Sequence, residues 1–272
     1  MNIMKQLSLH PRLVAVLDVF LNFVFLWQLS AAKVWWWLLI FSLLRLIIWL
    51  LAIRFSYYPV ESMRWRHFLS LFIFTSGIVL FLLFIEQGSG RYFLISNWNL
   101  IAFVYIVVVF LSFWFLPSSK MSLSIFLKPH LRWRFVMCVT GLSGIFTGIM
   151  AMISFRITYQ ISDWLWYVLA VLVATAIAGW WWWEYNLKYS SRFLLSLIVF
   201  FILIFELVWI VAKLPFGHLV GGLVLVWGWY LAWLLMRFNL TDEGIKWKKQ
   251  TKFLGINLLL FLIFLLFVAR WK

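Results

Sequence analysis

The chain has 272 residues, of which 66% are apolar, 22% aromatic and only 11% charged, and its mean hydropathy is +1.03. Soluble domains run near half apolar and about a quarter charged, and no globular packing hides this much apolar side chain from water, so soluble enzymes, secreted disulfide scaffolds and disordered tails are excluded together. The 23 Lys and Arg against 8 Asp and Glu, a formal net charge of +15, then read as membrane topology and not as nucleic-acid binding.

A membrane helix needs about 20 mostly apolar residues to cross about 30 Å of hydrocarbon. Such runs lie, in chain order, at about 13–30, 34–53, 68–85, 98–116, 135–155, 164–183, 193–212, 217–236 and 254–269. The period-2 alternation of a membrane β-barrel is absent. The sequence predicts an all-α integral membrane protein, a bundle of about nine transmembrane helices in a single polytopic membrane domain. Asp18 and Asn22 interrupt the first run, so a retained helix is expected there and not a cleaved signal peptide. Counted over successive segments between spans, Lys and Arg number 16 in the odd segments and 6 in the even ones, with Arg45 inside the second span. The positive-inside rule places the N-terminus in the cytoplasm and the C-terminus outside. The longest connections, about 117–134 and 237–253, are then cytoplasmic, and all the prolines (Pro11, Pro59, Pro117, Pro129 and Pro215) fall in loops or at helix edges. Arg64-Trp65-Arg66-His67-Phe68-Leu69 before the third span echoes Arg132-Trp133-Arg134-Phe135-Val136 before the fifth. Separately, His67-Phe68-Leu69-Ser70-Leu71 resembles Arg192-Phe193-Leu194-Leu195-Ser196-Leu197 before the seventh, a match that suits a four-plus-four duplication with a ninth helix appended, although basic and aromatic residues at inner helix ends explain both echoes as well.

Ionisable groups at depth are the strongest functional pointers in such a chain. Asp18 lies about 14 residues before the first turn and Arg45 about 13 after it, so at about 1.5 Å per residue their depths match. They are expected to form an ion pair that either sets the register of the first two helices or relays an ion or substrate. Glu206 sits in the outer half of the seventh span, with Lys213 and His218 as its nearest polar candidates, and reads either as a proton-coupling group or as a carboxyl bonded to a nearby backbone. The remaining histidines, His10, His67 and His130, stand at cytoplasmic helix entrances among arginines that repel a cation, so no metal is expected. The basic cytoplasmic rim, Arg64, Arg66, Arg132, Arg134, Lys246, Lys248 and Lys249, suits an anionic phospholipid or a partner subunit. Trp35 to Trp37 and Trp180 to Trp183 fall at helix ends, where indole rings anchor in the interface. Gly144-x-x-x-Gly148 and Gly217-x-x-x-Gly221 allow close helix packing. No nucleotide-binding, haem-attachment or zinc motif is present, so no cofactor is expected. The prolines do not interrupt the spans, which argues against a wide aqueous path.

Gly141-Leu142-Ser143-Gly144 and His218-Leu219-Val220-Gly221-Gly222 resemble the serine and histidine helices of the rhomboid intramembrane proteases. In that family the two helices run the same way. Here two spans intervene, so Ser143 falls toward the cytoplasmic half and His218 at the outer edge, and no catalytic residue is expected. Leu214-Pro215-Phe216-Gly217 together with Ala269-Arg270-Trp271 resembles polytopic bacterial membrane proteins that carry no assigned activity. That resemblance implies a bacterial plasma membrane and adds no site residues. The reading is a non-enzymatic membrane component whose basic rim meets anionic lipid or a partner subunit. The alternative is a small-solute or lipid transporter using Asp18, Arg45 and Glu206, and an intramembrane serine protease comes third.

Overall fold

Backbone placed in hydrocarbon finds no water, so an apolar run satisfies its own N–H and C=O groups by coiling into a helix. In a computed structural model, which describes residues 9–31, 35–89, 91–118, 123–154, 163–241, 244 and 247–268, the chain does so throughout. The helices are α1 (Pro11–Ala31), α2 (Trp35–Phe55), α3 (Ser62–Ser89), α4 (Arg91–Trp114), α5 (Leu123–Ser154), α6 (Asp163–Glu184), α7 (Ser191–Lys213), α8 (His218–Leu240) and α9 (Trp247–Ile263), the last continuing into a π-helical turn at Phe264–Val268. Seven of them, α1, α2, α3, α5, α6, α7 and α8, are long and apolar enough to cross a membrane. The apolar stretches Leu100–Trp114 and Gln250–Leu266 are shorter. Among the described residues the only strand-like pairing is one bridge between Leu9 and Ser56.

The segment expected to be a loop from about 117 to 134 is helical from Leu123 onward, so Pro129 stands inside α5 and not in a connection. The apolar residues Ile125, Phe126, Leu127 and Leu131 extend the helix past its basic end, and Phe126 meets Phe115 with ring centres 6.3 Å apart. Where the sequence reads as one membrane domain, the contacts divide the chain into two compact units, Met1–Gly144 and Ile145–Lys272, with the division inside α5.

In the first unit α1 lies against α2 and α4, and α3 lies against the same two helices. The buried stripes follow helical spacing: Val14, Ala15, Asp18, Asn22, Phe25, Leu26 and Leu29 on α1, and Leu38, Ser42, Arg45, Trp49 and Ile53 on α2. The opposite faces are as apolar but exposed, as at Phe20, Phe23 and Trp27. Lipid tails solvate such residues, so apolar side chains occur on both faces, and it is the polar Asp18, Asn22, Ser42 and Arg45 that distinguish the inward ones. The closest approach is between α3 and α5. A Cβ on Gly77 would overlap the carbonyl of Gly141, one on Gly144 would overlap the carbonyl of Gly77, and one on Gly141 would come within 2.5 Å of the Ile73 carbonyl oxygen.

In the second unit α6, α7 and α8 pack on one another. The α6–α7 turn is set by Asn186, whose φ of 59° closes the end of α6. Leu187 N–H reaches the Trp182 carbonyl at 3.2 Å and Asn186 N–H reaches that of Trp183 at 2.9 Å, which satisfies two otherwise orphaned acceptors. Ser190 then caps α7 by accepting from the Phe193 N–H. Trp181 and Trp182, expected at the interface, are fully buried and only Trp183 of that run is exposed; the Trp182 indole N–H turns inward to the Trp233 carbonyl (3.3 Å), and that of Trp229 bonds the Ala174 carbonyl (3.0 Å). Gly217 faces open space and packs nothing, whereas Gly221 lies 3.0 Å, measured from an added Cβ, from the Met150 methyl. The tighter contact is its neighbour Gly222, whose Cβ would come within 2.7 Å of the Thr147 Cα. Gly148 is buried in the same stretch of α5.

Gly77→Ala is expected to lower stability by about 2 kcal/mol or more, because backbone and not a flexible side chain must give way. Gly217→Ala is expected to change it by at most about 1 kcal/mol. Thermal unfolding of both variants in detergent, followed by tryptophan fluorescence, checks the pair.

Candidate functional site

Two polar clusters are buried in the first unit. The deeper one joins α1 to α2. Asp18 and Arg45, each 2% exposed, form an ion pair through Oδ1 and Nη2. Asn22, one turn along α1, donates to Asp18 Oδ2 at 2.8 Å and accepts at Oδ1 from Arg45 Nε (3.1 Å) and Nη2 (2.7 Å). Trp49, one turn along α2, donates its indole N–H to Asp18 Oδ1 at 3.0 Å, and the Arg45 guanidinium lies over its ring at 4.4 Å. Both charges are therefore enclosed by groups of the opposite polarity from both helices. Tyr105 of α4 stacks on Phe74 of α3 (5.1 Å) and approaches Trp49 (6.4 Å), and its hydroxyl lies near Thr75 and Arg45. Even so, Arg45 Nη1, Thr75 Oγ1 and Tyr105 OH make no hydrogen bond of ordinary geometry.

The second cluster lies where helix ends meet. Ser112 of α4 donates its hydroxyl to the Val109 carbonyl at 2.7 Å, so its Oγ accepts from His67 Nε2 at 3.0 Å. His67 Nδ1 faces the Tyr58 hydroxyl at 2.7 Å. Burial pushes that phenol well above its ordinary range, against the pull of Arg134 and Arg64, so Tyr58 keeps its proton and donates. His130 of α5 donates from Nδ1 to the Ser112 carbonyl at 2.9 Å and crosses the His67 ring edge-on at 5.1 Å. Among the described residues its Nε2 has no hydrogen-bond partner.

These contacts, with the Leu9 N–H to Phe55 carbonyl bond (2.8 Å) and Arg12 over the rings of Trp114 (5.3 Å) and Phe126 (5.5 Å), bring five helix ends together: the starts of α1, α3 and α5 and the finishes of α2 and α4. Arg12, Arg54, Lys128 and Arg132 are exposed at this end, and Arg64 and Arg66 are half-buried. Arg134, expected on the rim, is instead 2% exposed. It enters the α3–α5 contact, where its Nε donates to Ser70 Oγ at 3.3 Å. Lys246 lies outside the described residues, as do the side chains of Lys248 and Lys249.

In the second unit Glu206 is exposed, on the side of α7 opposite the buried stripe of Phe193, Phe200, Ile204 and Val208. Among the described residues no hydrogen bond or ion pair reaches it, so neither expected partner, Lys213 nor His218, serves it. Lys213 is exposed two turns away, about 10 Å along the helix, and His218 opens α8. Ser143, which is half-buried, donates to the Thr140 carbonyl at 2.7 Å, the usual back-bond of a helical serine. Among the described residues no three His, Cys, Asp or Glu side chains gather as a metal site would require.

Asn22, Trp49, Thr75, Tyr105, Tyr58 and Ser112 were not singled out as site residues by the sequence. For Asn22 and Trp49 a signal exists, since each stands four residues from a charged partner and so on the same helix face. For the others the partner is on a different helix and no spacing reveals it. No protein-family model, curated protein or solved structure matches this chain.

Asp18→Ala should lower stability by about 3–5 kcal/mol by leaving Arg45 buried without a counter-charge, while the double variant Asp18→Leu/Arg45→Leu should recover most of that loss. Tyr58→Phe should cost about 1–3 kcal/mol by leaving His67 Nδ1 unsatisfied. Thermal melts in one detergent measure all three, and a double variant as unstable as Asp18→Ala would refute a mainly structural pair.

Proposed function

We propose that the chain is a non-enzymatic component of a cell membrane, and that its basic end holds anionic phospholipid or a partner subunit. In this reading it spans the bilayer about nine times, with α4 and α9 as shortened spans, the N-terminus in the cytoplasm and the C-terminus outside. The bacterial plasma membrane implied by the C-terminal resemblance is part of the same proposal. The observation that carries it is the gathering of Arg12, Arg54, Arg64, Arg66, Lys128 and Arg132 at one end of the first unit. Exposed Trp65 sits among them, as an interfacial indole does. The enclosure of Asp18 and Arg45 by Asn22 and Trp49 supports a register-setting pair over a relay.

One observation favours the transporter reading. Arg45 Nη1, Thr75 Oγ1 and Tyr105 OH are three buried polar atoms without hydrogen bonds of ordinary geometry, a set able to hold the oxygen of a water or a small polar solute. In that reading the deep cluster is a stopping point on a narrow path.

The test is lipid selectivity in nanodiscs. Phosphatidylglycerol should raise the melting temperature above that in phosphatidylcholine, with a contribution of about 1 kcal/mol per basic residue. Arg64→Gln/Arg66→Gln/Arg132→Gln, or high salt, should remove the difference. Equal melting of the wild type in both lipids would sink the lipid-binding form of the proposal. For the transporter reading, Ala15→Cys and Leu26→Cys in a Cys138→Ala background flank the deep cluster. Their labelling by a membrane-impermeant thiol reagent would favour a hydrated path over a closed core.

A further inference from the structure

Helix α7 turns Phe193, Ser196, Phe200, Ile204, Val208 and Val211 inward. Its other face is exposed along Leu195, Ile198, Ile202, Glu206, Trp209 and Lys213. Every residue of that stripe except one suits its surroundings: the aliphatic side chains face acyl tails, and Lys213 ends the helix at the interface. The exception is Glu206. It lies seven residues before Lys213, about 10 Å into the hydrocarbon at 1.5 Å per residue, and its two methylenes are too few to carry the carboxyl to the headgroups as a lysine stem would. Ionised, the group has no counter-charge among the described residues and lies beyond the reach of headgroup hydration; protonated, its hydroxyl has no acceptor among the described residues beyond its own helix. A group of this kind is costly at depth unless another molecule supplies what it lacks.

We infer that the exposed face of α7 docks a transmembrane helix of a partner subunit carrying a lysine or arginine at the depth of Glu206. This deepens the membrane-component reading and rests on it. The charge decides between occupants. A second copy related by an axis along the membrane normal would set Glu206 against Glu206, two like groups in a medium that penalises them. A cationic side chain supplies both the opposite charge and several donors, and Ile202, Trp209 and Ile210 around it offer an apolar surface that closes off lipid and water.

The test uses the full chain, donor-labelled, in phosphatidylcholine vesicles with acceptor-labelled leucine helices long enough to span the bilayer. One helix carries a single lysine about 10 Å from its end and the other carries none. Energy transfer should report at least tenfold tighter association of the lysine helix with the wild type, and no preference with Glu206→Leu. That substitution faces lipid and is expected to leave the melting temperature unchanged or raised. Equal association of both helices with the wild type would overturn the inference, as would a lysine preference that survives Glu206→Leu. Transfer between two differently labelled copies of the chain that is lost in Glu206→Leu, with no lysine preference, would also overturn it and assign the face to self-association. Because the lipid is zwitterionic, the result is independent of whether the basic end binds phosphatidylglycerol.

Discussion

A charge in hydrocarbon survives only where the protein replaces every interaction that water would have made, and in the first unit this requirement ties α1 to α2. Asp18 spends its oxygens on Arg45, Asn22 and Trp49, and Asn22 in turn receives Arg45, so the two helices are joined by bonds that exist in a single alignment. A shift of either helix by one turn would strand both charges. Apolar side chains of equal volume would pack at least as stably but would tolerate several alignments. The third and fourth helices then join through aromatic contact, since Tyr105 of α4 rests on Phe74 of α3 and reaches toward Trp49.

The remaining contacts illustrate how helices associate where the solvent is as greasy as they are. Between α3 and α5 the means is the removal of side chains: three glycines bring backbone against backbone, and Arg134 bonds Ser70 across the same pair of helices. In the second unit the means is the opposite. The large indoles of Trp182 and Trp229 fill the space between helices, and each bonds a carbonyl of a neighbouring helix. Both devices leave the leucine and isoleucine majority facing outward.

What the sequence makes legible follows from this. Helical class and the positions of the long spans are visible because twenty apolar residues in lipid have one stable conformation, and the matching depths of Asp18 and Arg45 are visible because rise per residue is constant. The inward faces are far less visible. Gly77 lies alone in its segment, so no spacing motif announces it, while Gly217 belongs to a motif and packs nothing. The start of α5 was hidden because Lys128, Pro129, His130 and Arg132 make a polar-looking segment, and only contact with α4 shows His130 to be interior. The tryptophan run at 180–183 combines interface and core, a distinction set by which way each ring turns on the helix.

The chain of bonds from Tyr58 through His67 and Ser112 has a direction. Tyr58 gives its hydrogen to His67, His67 gives one to Ser112, and Ser112 gives its own to the carbonyl of Val109. A path that conducts protons needs each member to pass one on and then reset, and it must end at a group that can release what it receives. A peptide carbonyl inside a helix does neither, so the series is terminated at Val109. Four polar groups in series, each donating to the next, thus hold the ends of α3 and α4 together.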